Sequence, residues 1–333
     1  MSTEIAIGQL ISVLTTLTVI MTVIMVMLNA GLKLTIYEFN WLRRRPRLNA
    51  RSLLSVDVLA PGVSLAIVLM LSDLLPREVG LGIILLAAAP GAPLVPKIVK
   101  LAAGNTLYAV SLMGILSILA VVTFPVTAFL ILPGGGDVQI DPLGVIRVIL
   151  VNQLLPLGAG LAVRQFWPTL ADDLEGPVSK ISGYLFPALI IVIILANFGT
   201  ILSFGLISLG TMLAVLVATL AIGHLLGGPD RSDKESEPLG TRTALGITTS
   251  FRNSALALLI ANANFGAEVV AAVTVYGILT FAVVIPYASY WKKKQVIEVK
   301  QEVKQDLPTG DSDKTAQSDT AKKDFRRTDT DAA

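Results

Sequence analysis

Cysteine is absent from the 333 residues, so disulfides and thiolate metal sites are excluded. Histidine occurs once, at His224, which leaves zinc and haem chemistry without a ligand set. Charge is scarce too: Asp, Glu, Lys and Arg make up 15% of the chain, where a soluble domain carries about 25%. The apolar stretches hold no matched carboxylate pair and no nucleophile–base set, so neither an enzyme nor a bound cofactor is expected. The few charges gather in short stretches and in a C-terminal tail. Between them lie apolar runs of about 20 residues, long enough to cross a bilayer core as helix. The chain therefore reads as an all-α polytopic membrane protein whose partners are the lipid bilayer and a small solute, not nucleic acid. Nothing in it decides between a monomer and a homodimer.

The pattern predicts nine spans, roughly Gly8–Leu32, Ser52–Leu74, Gly80–Ala103, Thr106–Leu132, Leu143–Phe166, Pro177–Ile201, Gly205–Gly227, Thr243–Phe265 and Ala267–Trp291. The first has no basic leader or small-residue cleavage site and is read as a true span. Arg43, Arg44, Arg45, Arg47 and Arg51 follow the first span. Arg231, Lys234 and Arg242 follow the seventh, and Lys292, Lys293 and Lys294 follow the ninth. Alternating spans put all three clusters on one side, which the positive-inside rule makes cytoplasmic. The expectation is a multi-pass cell (inner) membrane protein with its N-terminus outside and its C-terminus in the cytoplasm. Residues 1–294 form the membrane domain. The polar tail, 295–333, has too little apolar surface to offset its ordering entropy and is expected to be disordered, with "KKKQVIEVK" extending the last helix.

Two spans do not read as plain helices. "AAAPGAPLVPKIVK" (Ala87–Lys100) places Pro90, Gly91, Pro93 and Pro96 at mid-span. Each proline removes a backbone donor and clashes with the preceding turn, so the helix about 80–103 is expected to unwind. "TTSFRNSALALL" (Thr248–Leu259) interrupts the span about 243–265 with hydroxyls, Arg252 and Asn253, which compete for backbone hydrogen bonds. Unwound backbone at membrane depth is tolerated only where protein or a water-filled cavity satisfies it. Matched breaks in two halves mark a transporter site where they meet. Each broken span is second to last in its half, and an odd offset of five spans gives the halves opposite topology. The prediction is inverted-topology repeats, of four plus five helices, with two crossing discontinuous helices.

These residues carry a family resemblance. "GLKLTIYEF" (Gly31–Phe39), "APGAPLVPKIVKLAAGN" (Ala89–Asn105), "RNSALALLIANANFG" (Arg252–Gly266) and the closing "SYW" (Ser289–Trp291) resemble, in order and spacing, motifs of the bile acid:sodium symporter family. The likeness covers most of residues 1–294. It implies a panel domain and a core domain, alternating access around two crossing helices, and an organic anion moved usually with sodium. Some members lack the first of ten helices, as this chain does. The sodium ligands the resemblance implies are not matched. The family's Ser-Asn pair falls at Val95 and Pro96, its Glu and Gln at Thr248 and Arg252, and a further Gln at Val56, beside Asp57. Two hydroxyls fall at Ala109 and Met113.

Arg252 is permanently charged and offers five donors in a fork suited to carboxylate, sulfate or phosphate. Two compatible readings stand. Arg252 takes the place of bound sodium, so that an anion moves without sodium coupling, or it is a counter-ion to Asp57 that satisfies the crossed helix ends. The substrate-binding candidates are Arg252, Asn253, Ser254, Lys97, Pro90 and Gly91. The coupling-ion or counter-ion candidates are Thr248, Thr249 and Asp57, with Asp57 also readable as a proton carrier. Asn152, Gln153 and Asn197 are read as interhelical glue. Two alternatives share the architecture: a transport-dead receptor or scaffold, and an arsenite- or auxin-type carrier.

Overall fold

The computed structural model describes residues 2–131, 142–228 and 238–306, and among these every regular element is helical. In chain order they are α1 (Ser2–Lys33), α2 (Ile36–Arg43), α3 (Pro46–Leu53), α4 (Ala60–Met70), α5 (Arg77–Ala88), α6 (Val95–Leu101), α7 (Thr106–Ile131) and α8 (Pro142–Ile149). Then follow α9 (Leu155–Phe166), α10 (Pro168–Ala196), α11 (Phe198–Leu202), α12 (Leu206–Leu226), α13 (Pro238–Ser250), α14 (Ser254–Asn264) and α15 (Ala267–Asp306). Helix is what an apolar chain must form where no water can satisfy its amides. Among the described residues, eight helical stretches are long and apolar enough to cross a membrane, one of them, Leu239–Asn264, made of α13 and α14. The other expected span is split. Its halves, α5 with 12 residues and α6 with 7, are each too short to cross alone.

Prolines shape several of these helices from within. α3 and α4 are joined by a wide π-helical turn, Leu54–Leu59, and α8 and α9 by another, Leu150–Leu154. Each wide turn runs into a proline, Pro61 or Pro156. A proline lacks the N–H that would close the previous turn, and the ladder adjusts by widening. At the first of them the N–H of Ala60 bonds to Ser55 O, five residues back. In that register Val56 O would need the N–H of residue 61, which is proline, so this carbonyl is left over for a partner outside the helix.

Small residues let two pairs of helices approach closely. A side chain on Gly31 would run into Leu157 O, and one on Gly160 would meet Leu28 O at 2.5 Å, so α1 and α9 cross almost backbone to backbone. Arg164, at the end of α9, ties this pair to α10 through Asp172 (2.6 Å) and Glu175 (2.9 Å). On the other side Gly223 of α12 meets Gly246 of α13, with a Cβ–Cα separation of 2.8 Å were Gly223 an alanine. The span Leu239–Asn264 is the most enclosed of the eight, with 94% of its apolar window buried, whereas α10 has 22%. The second interrupted helix thus runs through the middle of the molecule.

Residues Met1–Lys292 make one compact unit and Lys293–Ala333 a second, which is described as helix as far as Asp306. The expected tail extension of the last helix is present as part of α15. Of the tail expected to be disordered, 295–333, residues 295–306 belong to α15 and residues 307–333 lie outside the described residues. So do the polar loops 132–141 and 229–237, including Arg231 and Lys234.

Candidate functional site

The site forms where the two helix breaks cross. The first break is residues 89–94, between α5 and α6, and holds Pro90, Gly91 and Pro93. Gly91 adopts φ +75°, a left-handed conformation that only glycine takes without strain, and its Cα lies tight on α7. A Cβ there would meet Ser117 N and Oγ at 2.8 Å. The second break is narrower than the sequence suggests. Thr248, Thr249 and Ser250 remain in α13, and only Phe251–Asn253 leave the helix. Two of the three hydroxyls are accommodated by a local or cross-helix bond, while the buried Ser250 hydroxyl has none. Thr248 Oγ1 donates to Ala244 O four residues back (2.8 Å), and Thr249 Oγ1 pairs with Ser55 Oγ at 2.9 Å.

A broken helix leaves carbonyls of its last turn without N–H partners. Here the second break supplies the donors that the first one needs. Arg252, 3% exposed, donates from Nε to Leu86 O (3.3 Å), from Nη1 to Val56 O (3.0 Å) and from Nη2 to Ala87 O. Two of these acceptors end α5, where the helix dipole favours positive charge, and the third is the carbonyl that Pro61 strands. The N–H of Asn253 donates to Ala89 O at 2.9 Å. The Asn253 side chain works in both directions: Oδ1 accepts from Leu256 N (3.1 Å) and so caps α14, while Nδ2 reaches Gly91 O and Gln153 Oε1, both at 3.4 Å. Gln153 in turn donates to Ser117 O at 3.3 Å.

The candidates from the sequence divide accordingly. Arg252, Asn253, Ser254, Pro90 and Gly91 come together at the crossing. Thr248 and Thr249 lie one turn away in α13, both buried. Asp57 sits in the wide turn beside Val56, half-buried, with Thr123 facing it and Arg252 acting on it electrostatically. Yet the guanidinium turns its bonds to main-chain oxygen and not to this carboxylate. Lys97 is exposed on α6, as is Lys100 one turn on, and neither lines the small cavity at the crossing. Gln153, read from the sequence as glue, belongs to the site. Its signal was the proline three residues later, which opens the turn that carries it. The carbonyls of Val56, Leu86 and Ala87 left no side-chain signal at all.

A small cavity of about 20 Å³ lies at the crossing, lined by Ala92, Pro93 and Leu94 of the first break and by Arg252, Asn253, Ser254 and Ala255 of the second. The N-terminus of the 11-residue α14 opens into it. Amides there carry partial positive charge and suit an anion. The arrangement is a cation fixed at a helix C-terminus beside the N-terminus of α14, which Asn253 caps.

A family model described as Sodium Bile acid symporter family matches residues 20–204. The chain belongs to the sodium bile acid symporter family. The matched stretch contains the whole of the first break and stops before α12, so Arg252 lies beyond it. An uncharacterized sodium-dependent transporter of Bacillus subtilis (strain 168), YocS, is 25% identical over 270 residues, which span 81% of each chain. Membership makes this a membrane transport protein with a small-molecule substrate. Of the positions where the resemblance implies oxygen ligands for sodium, Thr248 keeps a hydroxyl. Val95, Val56, Ala109 and Met113 offer buried hydrocarbon at their positions, and a guanidinium fills the place of the second Gln.

Proposed function

We propose that this protein is a secondary active transporter that moves an organic anion by alternating access, and that Arg252 takes the place of a coupling sodium ion. The observation that carries the reading is the guanidinium held by three main-chain carbonyls at the helix crossing. Carbonyls at broken helix ends are the groups that hold sodium in transporters built this way. Here a covalently attached cation satisfies them in every state of the cycle, so no ion need bind before the substrate does. Its charge, together with the α14 N-terminus, lowers the cost of bringing an anion to mid-membrane. Asn253 and Ser254 orient that anion, Pro90 and Gly91 set the course of the first break, whose Ala92 and Pro93 form the opposite wall, and Asp57 balances Arg252 once the anion leaves. Thr248 and Thr249 are remnants of the coupling site, and Lys97 draws anions toward the cytoplasmic mouth.

The reading extends to the architecture. α1, α9 and α10, joined by the Gly31–Gly160 crossing and Arg164, form the panel; the broken helices with α7, α12 and α15 form the core. α5 and α6 together complete a ninth span, the two halves are inverted repeats, and the protein lies in the inner membrane with its C-terminus in the cytoplasm.

The test is uptake of labelled monocarboxylates into proteoliposomes. Uptake that is unchanged when sodium is replaced by potassium on both sides is the expected result. Uptake that requires an inward sodium gradient would sink the replacement of sodium by Arg252.

A further inference from the structure

A larger cavity, of about 310 Å³, adjoins the small one: Phe186 and Ser254 line both. It lies between α10 on one side and α14 with α15 on the other. Ile190 and Ile191 come from α10, Leu258 from α14, and Val273, Ile278 and Phe281 from α15. Two of its residues carry hydroxyls. Thr274 spends its hydroxyl on Val270 O, four residues back at 2.8 Å, which leaves Ser254, at the boundary with the anion place. No charged side chain lines it. The volume is at the lower end of the ~300–1,000 Å³ typical of small-molecule sites.

We infer that this chamber receives the apolar body of the substrate, and that the substrate is a monoanion with a slender, hydroxyl-free hydrocarbon tail. The inference rests on the proposed anion place at Asn253 and Ser254. A dianion would bring its second charge against hydrocarbon with nothing to pair it, and a hydroxyl deep in the chamber would lose its hydrogen bonds to water. A tail of plain methylenes meets only surfaces like itself. Since burying a methylene contributes about 0.8 kcal/mol, affinity rises by roughly fourfold for each one added until the chamber is full, and then levels off.

The experiment is a chain-length series on the full-length protein in detergent. Acetate, butanoate, hexanoate, octanoate and decanoate are each titrated by calorimetry, beside succinate and taurocholate. The expected result is a rise of that slope followed by a plateau, with octanoate bound tighter than either succinate or taurocholate. Ile278→Trp narrows the chamber from a lining position that is 39% exposed. It should flatten the slope while leaving acetate binding as it was. Acetate and octanoate bound alike, or taurocholate bound tighter than octanoate, would overturn the assignment of the chamber yet leave the anion reading standing. Failure of every anion to bind would overturn both.

Discussion

At the scale of single residues the central question is why an arginine tolerates 3% exposure at the break in the most enclosed of the eight spans. Desolvating a guanidinium costs several kcal/mol, and the cost is borne only where charge and hydrogen bonds are matched. Three carbonyls, two of them at a helix C-terminus, provide that match. The prediction is a double one. Arg252→Ala takes the side-chain donor from Val56 O and Ala87 O, while Leu86 O keeps the N–H of Ala89 (2.9 Å), and leaves a space the size of the lost side chain, so it should lower stability by about 3 kcal/mol. The same oxygens then face an opening that a small cation can fill. The thermal midpoint of Arg252→Ala should therefore rise on adding sodium chloride in place of choline chloride, whereas that of the unaltered protein should not. Equal responses of the two proteins would mean that Arg252 does not stand where a cation would bind.

The elements make a second kind of demand, and they show what could be read in the sequence. The first break was plain from Pro90, Gly91, Pro93 and Pro96, because proline acts on its own backbone and needs no neighbour to show its effect. The second was only half legible. Polar residues marked the place, but Thr248–Ser250 stay helical because partners elsewhere, among them Ala244 O and Ser55, satisfy two of their hydroxyls. The two wide turns were marked only by the prolines that follow them, and an isolated proline gives no sign of which upstream carbonyl it will strand. That is why Val56 drew notice only as a missing glutamine, when its main-chain oxygen is what Arg252 binds. Gly91 is the position where the break is most exacting. Gly91→Ala demands a left-handed alanine and drives its Cβ to 2.8 Å from Ser117, so it should cost roughly 2–4 kcal/mol in thermal unfolding. Gly62→Ala is the control, since nothing lies within 4 Å of a Cβ in that place on α4, and it should be neutral or slightly stabilising.

For the whole molecule the issue is whether two short helices, α5 and α6, cross the bilayer as one span. Eight stretches qualify by length and apolarity, and counting these alone would return both chain ends to the same side. Counting α5 with α6 makes nine and puts the ends on opposite sides. Physical chemistry favours nine, because the carbonyls freed at residues 86–91 find donors from Arg252, Asn253 and Ser117, as backbone at membrane depth must. The basic residues agree, since nine spans gather Arg44 and Lys293 on one face of the membrane. The chain's lack of cysteine makes the question open to single-cysteine labelling with no background to remove. Ser72, in the turn between α4 and α5, and Ser203, just before α12, are both exposed. They are separated by four crossings if α5 and α6 span together and by three if they do not. Ser72→Cys and Ser203→Cys should thus react with a membrane-impermeant maleimide from the same side, outside the cell, while Arg44→Cys and Lys293→Cys should react only after the membrane is opened. Labelling of Ser72→Cys and Ser203→Cys from opposite sides would remove the ninth span, and with it the proposed inverted repeat.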